Sequence, residues 1–236
     1  MSSRQQEKER RRQERLAAEQ AAASAASRRR RMQFAFGGLL AILLVAGLAV
    51  VLGVAGGDDS GGDGKPVDPD SANTVPIPEQ QIGDLQEAAK AAGCKLASPP
   101  IEGATHEPDK DFKASDYKTN PPTSGNHNPI WYEDGIYAPG DTPELGMLVH
   151  TLEHGRINVQ YKPGTPERTV SQLESVLAEF EGYHMLLYEN TTGMKAQVAA
   201  TTWGQSLTCP KMDDKVFDAL RTFTREYVDT GPEQVP

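Results

Sequence analysis

The stretch from residue 143 to residue 161 reads PELGMLVHTLEHGRINVQY and contains the two elements on which the fold depends. Its first part places apolar residues at helical spacing, so we expect a helix from Pro143 to His154 that ends at Gly155. Ile157–Tyr161 then alternates apolar and polar side chains, which is the period of a half-buried strand. A helix followed at once by a strand predicts a domain that mixes the two.

Outside this stretch, five further segments show helical or strand periodicity. They are predicted helices over 82–93, 170–180 and 216–227, and predicted strands over 184–189 and 196–203. Turn-forming residues at 190–193 separate the two strands, which are therefore predicted to pair as a hairpin. Residues 96–140 are rich in Pro and Gly and are expected to form loops. The order of elements predicts an α+β fold with a small antiparallel or mixed sheet packed by helices.

An uncharged apolar run separates two parts of the chain that carry opposite charge. Phe34–Gly57 holds 24 residues without a charge, and a helix of about 20 apolar residues crosses a bilayer. Residues 1–31 carry a net charge of +6, whereas the rest of the chain carries −15. Because positive flanks stay in the cytoplasm, we expect the C-terminal part to be extracytoplasmic.

The sequence thus predicts a single-pass protein of the cell membrane, with the lipid bilayer as a partner. Its expected segments are a basic cytoplasmic tail (1–31), a transmembrane helix (32–57), a flexible linker (58–74) and an extracytoplasmic α+β domain (75–236). A cleaved signal peptide is the alternative, but the basic region and the apolar run are both longer than is usual for one. The acidic domain favours cations as ligands and disfavours nucleic acid.

Two cysteines, Cys94 and Cys209, lie in the predicted extracytoplasmic domain. Outside the cytosol such a pair tends to be oxidised, so we expect a disulfide between them. A pair of buried thiols and a soft-metal site are the alternatives. The bridge would join the end of the first predicted helix to the residues before the last one.

All five histidines also lie in this domain: His106, His127, His150, His154 and His184. His150 and His154 are four residues apart, so on a helix they share one face and are able to chelate one Zn or Cu ion. The apolar stripe of the helix is expected to face the core. We therefore expect His150, His154 and Met147 to face solvent or a cleft, where the Met147 thioether would suit Cu(I).

His150–His154 (HTLEH) also matches the H-x-x-E-H motif of inverted zinc proteases, in which the glutamate is the general base. On the predicted helix, however, Glu153 falls between the histidine face and the apolar stripe, and Gly155 ends the helix directly afterwards. The sequence shows no G-x-S-x-G, no phosphate-binding Gly loop and no C-x-x-C. These observations favour a protein that is not an enzyme.

Several motifs of this domain occur in the order typical of one bacterial family. They are Ala92-Gly93-Cys94, TNPPTSGNHNP (119–129), Trp131, Gly135, Tyr137, VHTLEHG (149–155) and Cys209. Over about residues 80–232 the chain resembles the family catalogued as domain of unknown function 3105. Asn126 and Arg156 depart from the common pattern, which has Pro and a small residue there. The resemblance implies a membrane-anchored extracytoplasmic domain with no established activity.

The two signature motifs of that family each carry histidine, and here they supply His127, His150 and His154. Prolines on both sides of His127 would hold its imidazole in a fixed position, as a metal ligand requires. The resemblance therefore implies a three-histidine site with Met147 or Glu153 nearby. The remaining two histidines lie outside the motifs and are expected to contribute little.

Three interpretations of the function follow from the sequence. The first is a domain that binds a transition metal, copper or zinc, in sensing, storage or delivery. The second is a metal-free interaction module of the cell envelope that binds a protein or glycan in a groove shaped by the histidines, Trp131, Tyr132 and Tyr137. The third is a zinc-dependent hydrolase that uses Glu153.

Overall fold

A computed structural model describes residues 74–233, which form a mixed six-stranded sheet and four α-helices. The helices are α1 (Leu85–Ala91), α2 (Leu145–Glu153), α3 (Glu167–Glu179) and α4 (Asp214–Tyr227). The strands are β1 (Lys95–Ala97), β2 (Gly135–Ile136), β3 (Ile157–Tyr161), β4 (Met185–Glu189), β5 (Val198–Thr202) and β6 (Gln205–Cys209). The predicted α+β class is confirmed.

The predicted cytoplasmic tail and transmembrane helix lie outside the described residues, as does nearly all of the predicted linker. Among residues 74–233, none of the helices has the length and apolar character needed to cross a membrane.

The strands lie in the order β1-β6-β5-β3-β4-β2. β2, β4 and β3 run parallel to one another, whereas β5, β6 and β1 each run antiparallel to their neighbours. The predicted hairpin between residues 184–189 and 196–203 is wrong, because β3 lies between these two strands. β4 is apolar on both faces, as is typical of a strand in a sheet covered on both faces, and it pairs with β3 on one edge and β2 on the other. β5 instead forms a hairpin with β6.

The sheet packs against helices on both faces. Alternate residues of β3 and β4, among them Val159 and Leu187, pack with α1, α3 and α4 in the main core. The intervening residues Leu186 and Tyr188 pack with Tyr137 and with Leu148 of α2. α2 therefore lies across the sheet from the other three helices.

β3 is buried on both faces, which corrects the prediction of a half-buried strand. Its polar residues Asn158 and Gln160 are only 1% and 3% exposed. Asn158 Nδ2 donates to Leu148 O at 3.0 Å, and Asn158 Oδ1 accepts from Thr151 Oγ1 at 3.0 Å. Because these partners belong to α2, the polar face of β3 fixes the position of that helix.

α2 ends at the glycine that the sequence predicts. Gly155 has a φ of +78°, a conformation that favours glycine. Its N–H donates to Leu152 O at 3.0 Å, and Arg156 N–H donates to Thr151 O at 3.1 Å. This pair of bonds is a Schellman motif, which satisfies carbonyls at the end of a helix. The last turn of α2 is thereby fixed in place.

The predicted disulfide is present between Cys94 and Cys209. Cys94 follows α1, and Cys209 is the last residue of β6 and is fully buried. Residues 95–97 pair with residues 206–208 as β1 and β6, directly beside the bridge. The bridge thus closes a loop that contains most of the domain.

Candidate metal centre

Four side chains from three segments of the chain meet beside the last turn of α2. These are His106, His127, His150 and Glu153, and one ligand atom of each lies within 4.8 Å of all the others. A second group consists of His150, His154 and Glu233, and it meets the same criterion. We call the first group the inner site and the second the outer site. His150 belongs to both.

α2 supplies three of these side chains from one turn. His150 and His154 lie on the same side of the helix, and their Nε2 atoms are 3.0 Å apart. Of the two expected environments, solvent or a cleft, the structure excludes open solvent, since His150 is 2% exposed and His154 is 3% exposed. The loop before α2 covers them, and the ring of Trp131 lies 4.6 Å from that of His154. The periodicity of a helix cannot reveal that a distant loop covers its polar face.

His127 enters the inner site from the Pro-rich loop. Its main chain is paired with the segment that precedes it, because His127 N donates to Thr105 O at 3.0 Å and His127 O accepts from Glu107 N at 2.8 Å. This pairing is a short parallel bridge between His106 and His127. It brings the ring of His106 to 4.8 Å from that of His127.

The structure also brings His106, which was expected to contribute little, to the inner site. Its Nε2 lies 3.5 Å from Glu153 Oε2, and its ring stacks on that of His150 at 4.7 Å. His106 lies in a loop without periodicity, so no pattern around it could have indicated the site. Only the bridge to His127 places it there.

The hydrogen bonds of two histidines fix which of their nitrogens is free. His127 Nδ1 lies 2.7 Å from Gly125 O, and His150 Nδ1 lies 2.7 Å from Asn128 O. A carbonyl oxygen only accepts, so each Nδ1 carries the hydrogen and each neutral ring has its lone pair on Nε2. Histidines that bind metal ions usually donate their other N–H in this way.

Two buried acceptor atoms of the inner site lie close together. His127 Nε2 lies 2.9 Å from Glu153 Oε2, yet within the described residues neither atom has a hydrogen-bond partner of acceptable geometry. Both atoms are buried, and two acceptors at this distance repel unless a proton or a cation lies between them. Ligand atoms about 2.0–2.1 Å from one zinc ion lie roughly 3 Å apart. The 2.9 Å between these two atoms is therefore compatible with binding to a single ion.

Burial sets the protonation of these groups. Desolvation lowers the pKa of His127 and of His150, and it lowers the pKa of His154 to about 4. Desolvation also raises the pKa of Glu153, and the nearby Glu233 carboxylate raises it further. At neutral pH the imidazoles are neutral, which is the form that binds metal ions.

Two other candidate residues lie differently in the structure. His184 stacks on Tyr183 with ring centroids 4.0 Å apart, and its Nδ1 pairs with Asp229, so it belongs to neither group of ligands. Met147 is half-buried on α2, three residues before His150. The role of Met147 as a ligand stays a prediction.

The fold and this cluster define an α+β domain with a buried His/Glu group that could hold a metal ion. A family model described as "Protein of unknown function (DUF3105)" matches residues 110–236, which is more than half of the chain, and the chain belongs to this family. The matched region contains every candidate ligand except His106. Neither the curated proteins nor the solved structures with which the chain was compared include a match.

Proposed function

We propose that this protein binds one divalent transition-metal ion, Zn(II) or Cu(II), in the extracytoplasmic domain of a single-pass membrane protein. The proposal depends on one observation above all: His127 Nε2 and Glu153 Oε2 are both buried, lie 2.9 Å apart, and have no hydrogen-bond partner among the described residues. A cation between them would remove the repulsion and satisfy both atoms. Sensing, storage or delivery of the ion is the corresponding biological role.

The donor atoms indicate which ions fit. Three imidazole nitrogens and one carboxylate oxygen suit Zn(II) and Cu(II), whereas Cu(I) prefers sulfur. Participation of the Met147 thioether would shift the preference toward Cu(I). The disulfide supports an oxidising, extracytoplasmic location, because such bridges are rare in the cytosol.

The arrangement of Glu153 supports binding rather than hydrolysis. In an inverted zinc protease the glutamate acts on a metal-bound water as general base. Here the side chain of Glu153 is 6% exposed, and its carboxylate lies among the ligand atoms themselves. A four-ligand site without an open position holds an ion rather than activating water.

A metal-free interaction module is the second candidate. Ile130 and Trp131 are exposed apolar residues beside the histidines, as such a surface requires. Tyr137 does not contribute to it, because it is buried in the core between the sheet and α2. The two candidates differ in one measurable property, which is whether the protein takes up metal.

Copper uptake should be visible in the intrinsic fluorescence of the protein. The chain has two tryptophans, and both lie beside candidate ligands: the ring of Trp131 is 4.6 Å from that of His154, and the ring of Trp203 is 5.9 Å from that of His127. A paramagnetic Cu(II) ion at this distance quenches indole emission. We expect titration of Cu(II) into the purified full chain in detergent to quench most of the emission at one equivalent.

Zn(II) has a filled d shell and supplies the matched control for this titration. Added first, it should occupy the site and protect the emission from Cu(II). Quenching without a plateau near one equivalent, together with no zinc or copper in elemental analysis of the purified protein, would leave the interaction module as the better explanation.

Metal affinity should fall with acidity, but at a lower pH than it would for exposed histidines. Protons compete with the ion for the imidazole nitrogens, and a histidine in water has a pKa of about 6.5. Burial lowers the pKa of His127 and His150, and that of His154 to about 4, so the folded domain keeps neutral rings below pH 6.5. We expect the Zn(II) dissociation constant, measured by calorimetric titration, to rise steeply only below about pH 6.5.

The same lowering of the pKa values predicts how the metal-free domain responds to acid. Below about pH 6.5 the unfolded chain binds protons that the folded domain excludes, so the free energy of unfolding falls as the pH falls toward 4. Thermal unfolding of the metal-free protein at each pH checks this. A Zn(II) affinity that already falls with a midpoint at pH 6.5 would mean that the rings are solvated, contrary to the structure.

A further inference from the structure

His150 links the inner and the outer site through one atom. Its Nδ1 donates to Asn128 O, so Nε2 is the nitrogen that remains for a metal ion. This Nε2 belongs to the inner group, and it also lies 3.0 Å from Nε2 of His154 in the outer group. A single lone pair binds one ion at a time. The two sites are therefore adjacent positions that cannot both be filled.

The outer site differs from the inner site in exposure and in the number of its ligands. It offers three ligands instead of four, and the side chain of its carboxylate residue, Glu233, is 50% exposed. Glu233 Oε2 lies 3.4 Å from His154 Nε2, at the mouth of the buried cluster. An exposed carboxylate attracts a cation, and a three-ligand position releases it more readily than a four-ligand position.

The main chain holds Glu233 at this position. Glu233 N donates to Glu153 O at 3.1 Å, and Asp229 N donates to Gly155 O at 2.9 Å. Between these bonds, a Cβ on Gly231 would lie 2.3 Å from Glu153 O. The segment 229–233 therefore lies against the end of α2 as closely as a glycine permits.

His154 is buried but has fewer hydrogen bonds than His127 and His150. Within the described residues its Nδ1 has no hydrogen-bond partner, whereas carbonyls hold Nδ1 of His127 and His150. A buried polar nitrogen without a partner is unfavourable. An ion at the outer site would hold the ring through its other nitrogen, and that ring is the one closest to the exposed carboxylate.

We propose, building on the metal-binding function above, that His150, His154 and Glu233 form an entry position for the divalent cation. The ion first binds between Glu233 and His154 at the outer site. It then moves to the inner site, and His150 Nε2, which belongs to both groups of ligands, binds it there instead of at the outer site. No bond other than the metal–ligand bonds changes in this step. The outer site is occupied in transit, and the inner site holds the ion at equilibrium.

The kinetics of Zn(II) exchange in the full chain test this proposal. Removing an entry position slows both directions of the exchange equally, because it changes neither the free ion nor the inner complex. We expect Glu233→Gln to slow association and dissociation by about tenfold each, while the dissociation constant changes by less than about twofold. Stopped-flow mixing with a zinc-sensitive chelating dye measures both rates.

Glu226→Gln is the matched control, since it removes the same charge from an exposed position on α4. It should behave like the parent protein. Unchanged rates in Glu233→Gln would overturn the entry position, and so would faster dissociation alone, which would make Glu233 a ligand of the final complex. Two Zn(II) ions per chain at saturation would also overturn it, because a shared His150 excludes double occupancy. A parent protein that binds no Zn(II) would instead refute the metal-binding function itself.

Discussion

Replacement of His150 by alanine should cause the largest loss of metal affinity of any single substitution in this domain. His150 is the residue common to both groups of candidate ligands, so its loss leaves each group without one nitrogen. Loss of a hydrogen-bond partner of a metal ligand already weakens metal binding by about 10- to 100-fold. Loss of the ligand itself should exceed that, and we expect His150→Ala to weaken Zn(II) and Cu(II) binding by more than about 100-fold.

The domain contains a matched control for this substitution. His184 is also a buried histidine, but it pairs with Asp229 and belongs to neither group of ligands. His184→Ala should leave the dissociation constant within about twofold of the parent value. His106→Ala should give an intermediate loss, because it removes one of the four inner ligands. Calorimetric titration of all three variants separates these cases, and circular dichroism confirms that each variant is folded. Equal affinities for His150→Ala and His184→Ala would disprove the assigned ligands.

Reduction of the disulfide should lower the stability of the domain more than any surface substitution. Cys94 and Cys209 are 115 residues apart in the sequence, and a bridge that closes so long a loop stabilises a fold by about 2–5 kcal/mol. For a domain of this size each kcal/mol moves the unfolding midpoint by about 2–4 °C. We expect the midpoint to fall by about 10 °C when the protein is reduced.

Thermal unfolding followed by circular dichroism, with and without reductant, measures this effect. The Cys94→Ala/Cys209→Ala variant is the control, since reductant should not change its midpoint. If the midpoint of the parent protein is insensitive to reductant, and if both cysteines are alkylated before reduction, the bridge does not form in solution.

The features that the sequence predicts correctly depend on neighbouring residues. The helix that carries His150 follows from apolar spacing, and its end follows from Gly155, whose φ of +78° few other residues adopt. The α+β class follows from the order of such local elements. The disulfide follows from the expected location of the domain outside the cytosol, where cysteine pairs tend to be oxidised, and from the presence of only two cysteines.

The features that the sequence does not predict depend on contacts between distant segments. The incorrect hairpin arose because turn residues follow β4, whereas β4 pairs with β2 and β3, which both precede it in the sequence. His106 joins the site through a bridge to His127, 21 residues later, and no periodicity encodes that pairing. The burial of His150 likewise depends on a loop that folds back over α2. The helix of the candidate site was thus predictable, whereas its enclosure and its fourth ligand were not.

The carbonyl oxygens of Gly125 and Asn128 make the candidate metal site rigid. They orient the rings of His127 and His150 through bonds of 2.7 Å before any ion arrives. Immobilising a side chain on binding costs about 0.5–1.5 kcal/mol, because the side chain loses conformational entropy. The rings of His127 and His150 lose this entropy when the domain folds and not when an ion binds. Ions whose preferred bond lengths and angles match the fixed nitrogen positions then bind without rearranging the protein. If the proposed function is correct, the backbone of a proline-rich loop would contribute to discrimination among metals, in addition to the choice of ligands.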